Sequence, residues 1–160
     1  MAQYLSLGPL VLAVILLLYV AWVDFWTLKV RNASVLALLA VYLVFSVTEG
    51  FVSLAPDLFA AVLLFLLGLI FWLIGKMGAG DAKLFFPLGL FVGHAGLVPF
   101  AVGLIAGTFL LLLALRAPSD AAQGAAARRL VELRRTGRVP YAVPMVIGGL
   151  TALIFRIVAW

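Results

Sequence analysis

Five stretches of the chain contain no Asp, Glu, Lys or Arg: Met1–Val23, Ala33–Thr48, Leu58–Gly75, Leu84–Leu115 and Val139–Phe155. A helix crossing the hydrocarbon core of a bilayer needs roughly 20 apolar residues, so four of these stretches predict one span each. Leu84–Leu115 is too long for one span. Its middle, Gly93-His94-Ala95-Gly96-Leu97-Val98-Pro99, reads as a tight turn that divides it in two. The pattern predicts an all-α, polytopic membrane protein, a single domain over residues 1–160. Its six transmembrane helices fall at about 4–23, 33–49, 56–75, 80–93, 97–115 and 140–159.

Composition narrows the possibilities. Of 160 residues 67% are hydrophobic and only 11% are charged, against about 25% charged in a soluble domain. Too little polar surface remains to cover a water-soluble globule, which excludes a soluble enzyme and a disordered segment. The basic balance, +5, does not indicate nucleic acid, because the basic residues have a topological explanation. Short cytoplasmic loops are enriched in Lys and Arg. With six spans, Lys29, Arg31, Lys76, Lys83, Arg116, Arg128, Arg129, Arg134, Arg135 and Arg138 all fall on one side, leaving only Arg156 near the other. Both termini then lie outside the cytoplasm. Glu49 and Asp57 fall in the first external loop.

The first stretch lacks the positive n-region and the cleavage site of a signal peptide, so it is read as a span. The one sizeable loop, 116–139, is basic and cytoplasmic. Within it Leu130, Val131 and Leu133 alternate with Arg128, Arg129, Arg134 and Arg135. This suggests either a short interfacial helix on anionic headgroups or a solvated connector.

Two acids stand out by position. Asp24 directly follows the first apolar run, and Asp81 lies in Gly75-Lys76-Met77-Gly78-Ala79-Gly80-Asp81-Ala82-Lys83, where the fourth span begins. Acids in membrane spans are costly and tend to mark function. Read alone, each is a helix-end carboxylate paired with a nearby lysine, Asp24 with Lys29 and Asp81 with Lys83. Read together, two carboxylates at one depth cannot both ionise easily and share a proton. The ionised member can then take a proton from water while its partner donates to a peptide carbonyl. Other chemistries lack parts. There is no Cys and a single His, His94, in the external turn. A thiol nucleophile, a serine–histidine pair, a metal site and a cofactor are therefore not expected. Gly78 and Gly80 allow the backbone before Asp81 to approach a substrate or a neighbouring helix closely. Lys83 either holds the Asp81 loop or snorkels to a headgroup.

These residues resemble the type IV prepilin peptidase family of intramembrane aspartyl proteases. Asp24-Phe25-Trp26-Thr27-Leu28-Lys29-Val30-Arg31-Asn32 is similar to that family's aspartate followed by a basic stretch and an Ile-Pro-Asn ending, with Arg31 in place of the proline. Gly78-Ala79-Gly80-Asp81-Ala82-Lys83-Leu84 is similar to its GxGD-x-K-L segment. Val139-Pro140-Tyr141-Ala142-Val143-Pro144, running into Gly148-Gly149, resembles its proline-aromatic opening of the last span.

The resemblance implies that Asp24 and Asp81 are the catalytic pair. It also implies that the substrate is a pilin-like precursor with a basic leader and an apolar helix, cut at the cytoplasmic face of a bacterial, in preference to an archaeal, membrane. Larger members carry an N-terminal cytoplasmic region with paired CxxC motifs and methylate the new N-terminus. With no Cys and no room ahead of the first span, methyltransferase activity is not expected. The chain is most similar to the short, peptidase-only members that serve tight-adherence (Flp-type) pili. The competing expectation is a non-enzymatic assembly or transport subunit in which Asp–Lys pairs hold the helices together. Asn32 is a candidate cap for the second span, and Pro140 and Pro144 suit the first turn of the last.

Overall fold

A computed structural model describes residues 2–116 and 124–158, with side chains from Leu7 onward. Among the described residues the chain is all-helical, with α1 (Ala2–Thr27), α2 (Asn32–Thr48), α3 (Leu54–Leu73), α4 (Ala79–Val92), α5 (Leu97–Arg116), α6 (Ala125–Thr136) and α7 (Ala142–Val158). A helix forms in each of the six predicted apolar segments. Three of them are long and apolar enough to cross a membrane: Leu7–Thr27 within α1, and the whole of α3 and α5. Helices α2 and α7 are apolar but shorter, 17 residues each, and α4 has 14. Residues 117–123 of the basic loop and the last predicted span residue, 159, lie outside the described residues.

The first helix runs further than its apolar stretch. It continues through Asp24 to Thr27 and ends where Leu28 turns left-handed, at φ +54°. Asp24 is therefore part of the helix, and it extends the inward stripe Leu10, Ala13, Leu17 and Val20 at spacings of three and four. The stripe on α3 begins the same way, with Asp57 followed by Ala61, Leu64 and Gly68. The expected external loop is shorter than foreseen, and Asp57 sits in the first turn of α3, only 2% exposed.

Helix α4 is the central element, buried on nearly every side from Leu84 to Val92. It packs on α2, α3 and α7. In a bilayer, helices associate through close packing of small residues rather than through water exclusion, and Gly89 shows how. A Cβ there would lie 2.5 Å from the Ala61 Cα, so α3 and α4 meet backbone to backbone. Helices α5 and α7 form the second tight pair, while α1 joins α2 and α7. The turn between α4 and α5 is the one foreseen, with Gly93 at φ +64°. Two local readings need correction. Arg31, not Asn32, occupies the N-cap of α2, and it makes no side-chain cap bond. Pro140 precedes α7, leaving only Pro144 within its first turn. Of the two readings of the basic loop, the short helix is the one that forms, as α6 over residues 125–136.

Candidate functional site

Asp24 lies in the last turn of α1, near the negative end of the helix dipole. Its carboxylate is only 2% exposed, and the donor that makes this tolerable comes from the other end of the chain. The Ala142 backbone N–H donates to Asp24 Oδ2 at 3.0 Å. Ala142 is the first residue of α7, whose opening N–H groups have no partner within the helix. The next N–H, of Val143, goes to the Pro140 carbonyl, and Pro144 has none to give. The first turn of α7 thus directs one free donor to one carboxylate.

Asp81 is held by a similar rule on α4. It stands three residues after the N-cap Gly78, and its carboxylate turns back toward the Gly78 backbone. The arrangement is that of the backward half of a capping box, with no side chain on Gly78 to complete it. Each acid therefore lies at a helix N-terminus, where negative charge is stabilised. Asp81 is half-buried, and Asp24 is near enough for the two carboxylates to interact through space. Beside them opens a cleft of about 300 Å³, lined by Asp81 and Gly78 together with Leu28, Lys76, Arg138 and Tyr141.

The two glycines leave room for different neighbours. A Cβ on Gly80 would lie 3.2 Å from the Val30 Cβ and 3.3 Å from the Val30 carbonyl oxygen. The close approach that Gly80 permits is to this chain's own Asp24–Asn32 segment, so the two acid-bearing segments are docked against each other. A Cβ on Gly78 would lie 2.9 Å from Asp81 Oδ2. Gly78 therefore leaves room for the carboxylate. Lys83 is exposed. Among the described residues the ion pairs are Arg129–Glu132 and Arg156–Asp57; neither Asp24–Lys29 nor Asp81–Lys83 forms. That removes the contacts on which the assembly-subunit reading depended.

Two arginines have partners distant in sequence. Arg129 is separated from the headgroup set: its Nε donates to the Phe25 carbonyl at 3.0 Å and its Nη1 pairs with Glu132 at 2.7 Å. Phe25 O is one of the carbonyls left over at the end of α1, next to Asp24. Arg128, Arg134 and Arg135 are exposed, while Leu133 of the same helix is buried. Arg156 pairs with the buried Asp57 at 2.9 Å, donates to the Phe91 carbonyl at 3.1 Å and lies 4.9 Å above the Phe45 ring. Tyr42 completes the cluster by donating to Asp57 Oδ2 at 2.9 Å. Sequence reasoning placed Asp57 in solvent. The available signal was its register with Ala61, Leu64 and Gly68 on the inward face of α3.

Residues 11–116 match the type IV leader peptidase family. The chain belongs to this family. Neither characterised proteins nor solved structures give a match. The type IV leader peptidase match includes both acid segments and the docked Gly80–Val30 pair; the Val139–Pro144 motif and α7 lie beyond it. Membership implies a protease, and together with the apolar helices it makes the chain a membrane protein.

Proposed function

We propose that this type IV leader peptidase is an intramembrane aspartyl endopeptidase and that Asp24 and Asp81 are its catalytic residues. The observation that carries the reading is the pairing itself. A buried carboxylate and a half-buried one, each set at a helix N-terminus, interact, and the half-buried one lines an open cleft. Two such groups share one proton. The ionised carboxylate takes a proton from a water, whose oxygen attacks the scissile carbonyl carbon. The protonated carboxylic acid donates to the carbonyl oxygen, giving a tetrahedral diol. Collapse of the diol breaks the C–N bond, and the leaving nitrogen takes up a proton from the pair.

The substrate in this reading is a prepilin-like precursor, cut between its basic leader and its apolar helix. The reaction in this reading takes place at the cytoplasmic face of a bacterial membrane, a side supported by the basic residues of the loops at the Asp24–Asp81 end. Six of the seven helices (all but α6) then cross the bilayer, with both termini outside the cytoplasm. Arg128, Arg134 and Arg135 lie on anionic headgroups. The activity is that of a peptidase without N-methyltransferase function, as in short members serving tight-adherence pili. The test is cleavage of such a precursor by the protein reconstituted in vesicles. Wild type should release the leader, and neither Asp24→Asn nor Asp81→Asn should. Cleavage by both variants at the wild-type rate would defeat the proposal.

A further inference from the structure

Helix α3 packs chiefly on α4, and α5 chiefly on α7. Between them runs a groove of about 270 Å³. Its walls are Leu67 and Phe71 on α3 and Thr108 and Leu112 on α5; Phe85 of α4 and Met145 of α7 form the floor. The walls face outward, with Leu67 41%, Phe71 40% and Leu112 44% exposed. Thr108 donates its hydroxyl to the Leu104 carbonyl, so even the one polar wall residue presents a satisfied surface.

The groove adjoins the cleft beside Asp81. At the end nearest Asp81 it shares Lys76, Met77, Val139 and Tyr141 with the cleft beside that acid. One side of these four residues is polar and holds a carboxylate; the other is apolar and lies between helices. A lipid tail or a second copy of the chain would have no reason to prefer a groove that opens onto a carboxylate. A polypeptide whose scissile bond reaches Asp81, and whose next segment is an apolar helix, needs that connection.

We infer that the α3–α5 groove is the docking site for the apolar helix of the substrate, with Lys76, Met77, Val139 and Tyr141 forming the passage through which the chain bends from groove to cleft. This inference rests on the peptidase reading and adds to it the route by which substrate enters. In a bilayer the docked helix gains nothing from leaving water. What holds it is side-chain packing against the groove walls, so filling the groove should weaken binding without touching the chemistry.

The test uses the full chain in lipid vesicles, with a photo-crosslinking amino acid placed singly at Thr108, Leu112 or the outward-facing Phe109. The Asp81→Asn background keeps the precursor intact. The groove positions should crosslink to the precursor's apolar helix several-fold more than position 109 does. Crosslinks only to lipid, only to a second copy, or equally from position 109 would overturn the inference. In the active protein, Thr108→Trp should lower kcat/KM for the precursor by roughly tenfold, mostly through KM, with an unchanged melting temperature. Wild-type kinetics in that variant would also count against the groove. If the precursor is cleaved in an Asp24- and Asp81-dependent way while the groove positions fail to crosslink, only the docking site is wrong. If wild type cleaves no precursor, the peptidase reading falls and the groove assignment falls with it.

Discussion

The Ala142 N–H donates to the Asp24 carboxylate at 3.0 Å across 118 residues of sequence. The bond ties the last helix to the end of the first, and it separates two roles of Asp24 that substitution can tell apart. Asparagine at position 24 keeps an oxygen to accept from Ala142 but cannot ionise. Asp24→Asn should therefore melt near the wild-type temperature while losing about 10²–10⁴-fold in cleavage rate. Asp24→Leu leaves a buried N–H without a partner and should also lose about 1–3 kcal/mol of stability. Thermal unfolding in detergent, run beside the cleavage assay, distinguishes the two.

Gly80 should resist enlargement. Its missing side chain is replaced by Val30, and Gly80→Ala pushes a methyl against both the Val30 side chain and its carbonyl oxygen. We expect a cost of about 1–3 kcal/mol from overpacking, together with reduced cleavage as the two acids move apart. Val30→Gly removes the Cβ that meets the new methyl, so combined with Gly80→Ala it should cost less than the sum of the two single variants. A fully additive double variant would argue against this contact.

The Asp57–Arg156 pair predicts a stability effect without a catalytic one. It lies near the far ends of α4 and α7, away from the Asp24–Asp81 site. Removing one member of a buried pair strands the other, at a cost of about 3–5 kcal/mol. Asp57→Asn and Arg156→Met should each lower the melting temperature strongly. The double variant should cost less than the sum of the two, because no stranded charge remains. Cleavage per folded molecule, measured below the transition, should be unchanged in all three.

Arginines on α6 should divide into two kinds. Arg128, Arg134 and Arg135 are exposed, and together they should account for stabilisation by anionic lipid, about 1 kcal/mol for each residue near a charged surface. Replacing all three with Ala should abolish the rise in melting temperature when anionic lipid is added to neutral micelles. Arg129→Ala should leave that lipid response intact. It should instead reduce cleavage, because the Phe25 carbonyl next to Asp24 loses its donor.

The helices were legible because their signal is local. Charge-free stretches of the right length form helices wherever they occur, and the turn at Gly93 announces itself through its glycines and proline. Asp24 and Asp81 were conspicuous for the same reason, as acids set against a background almost without charge. Arg129 and Asp57 were misread because their partners lie far off in sequence, 104 and 99 residues away. A basic residue in a basic loop looks like a headgroup ligand until a carbonyl from another helix is found against it.

By itself, then, the sequence determined the all-helical character, the positions of the apolar segments and the two unusual acids, since each depends on hydrophobicity summed over a few turns of helix. Tertiary structure decided how the acids are held: Asp24 by the first N–H of α7, Asp81 by the N-cap of its own helix, and the segments of both by Val30 seated on Gly80. It also turned an apparently exposed Asp57 into a buried partner of Arg156. Both outcomes have one cause. A buried polar group must find a partner, and packing, which sequence distance does not reveal, selects which group is near enough to serve.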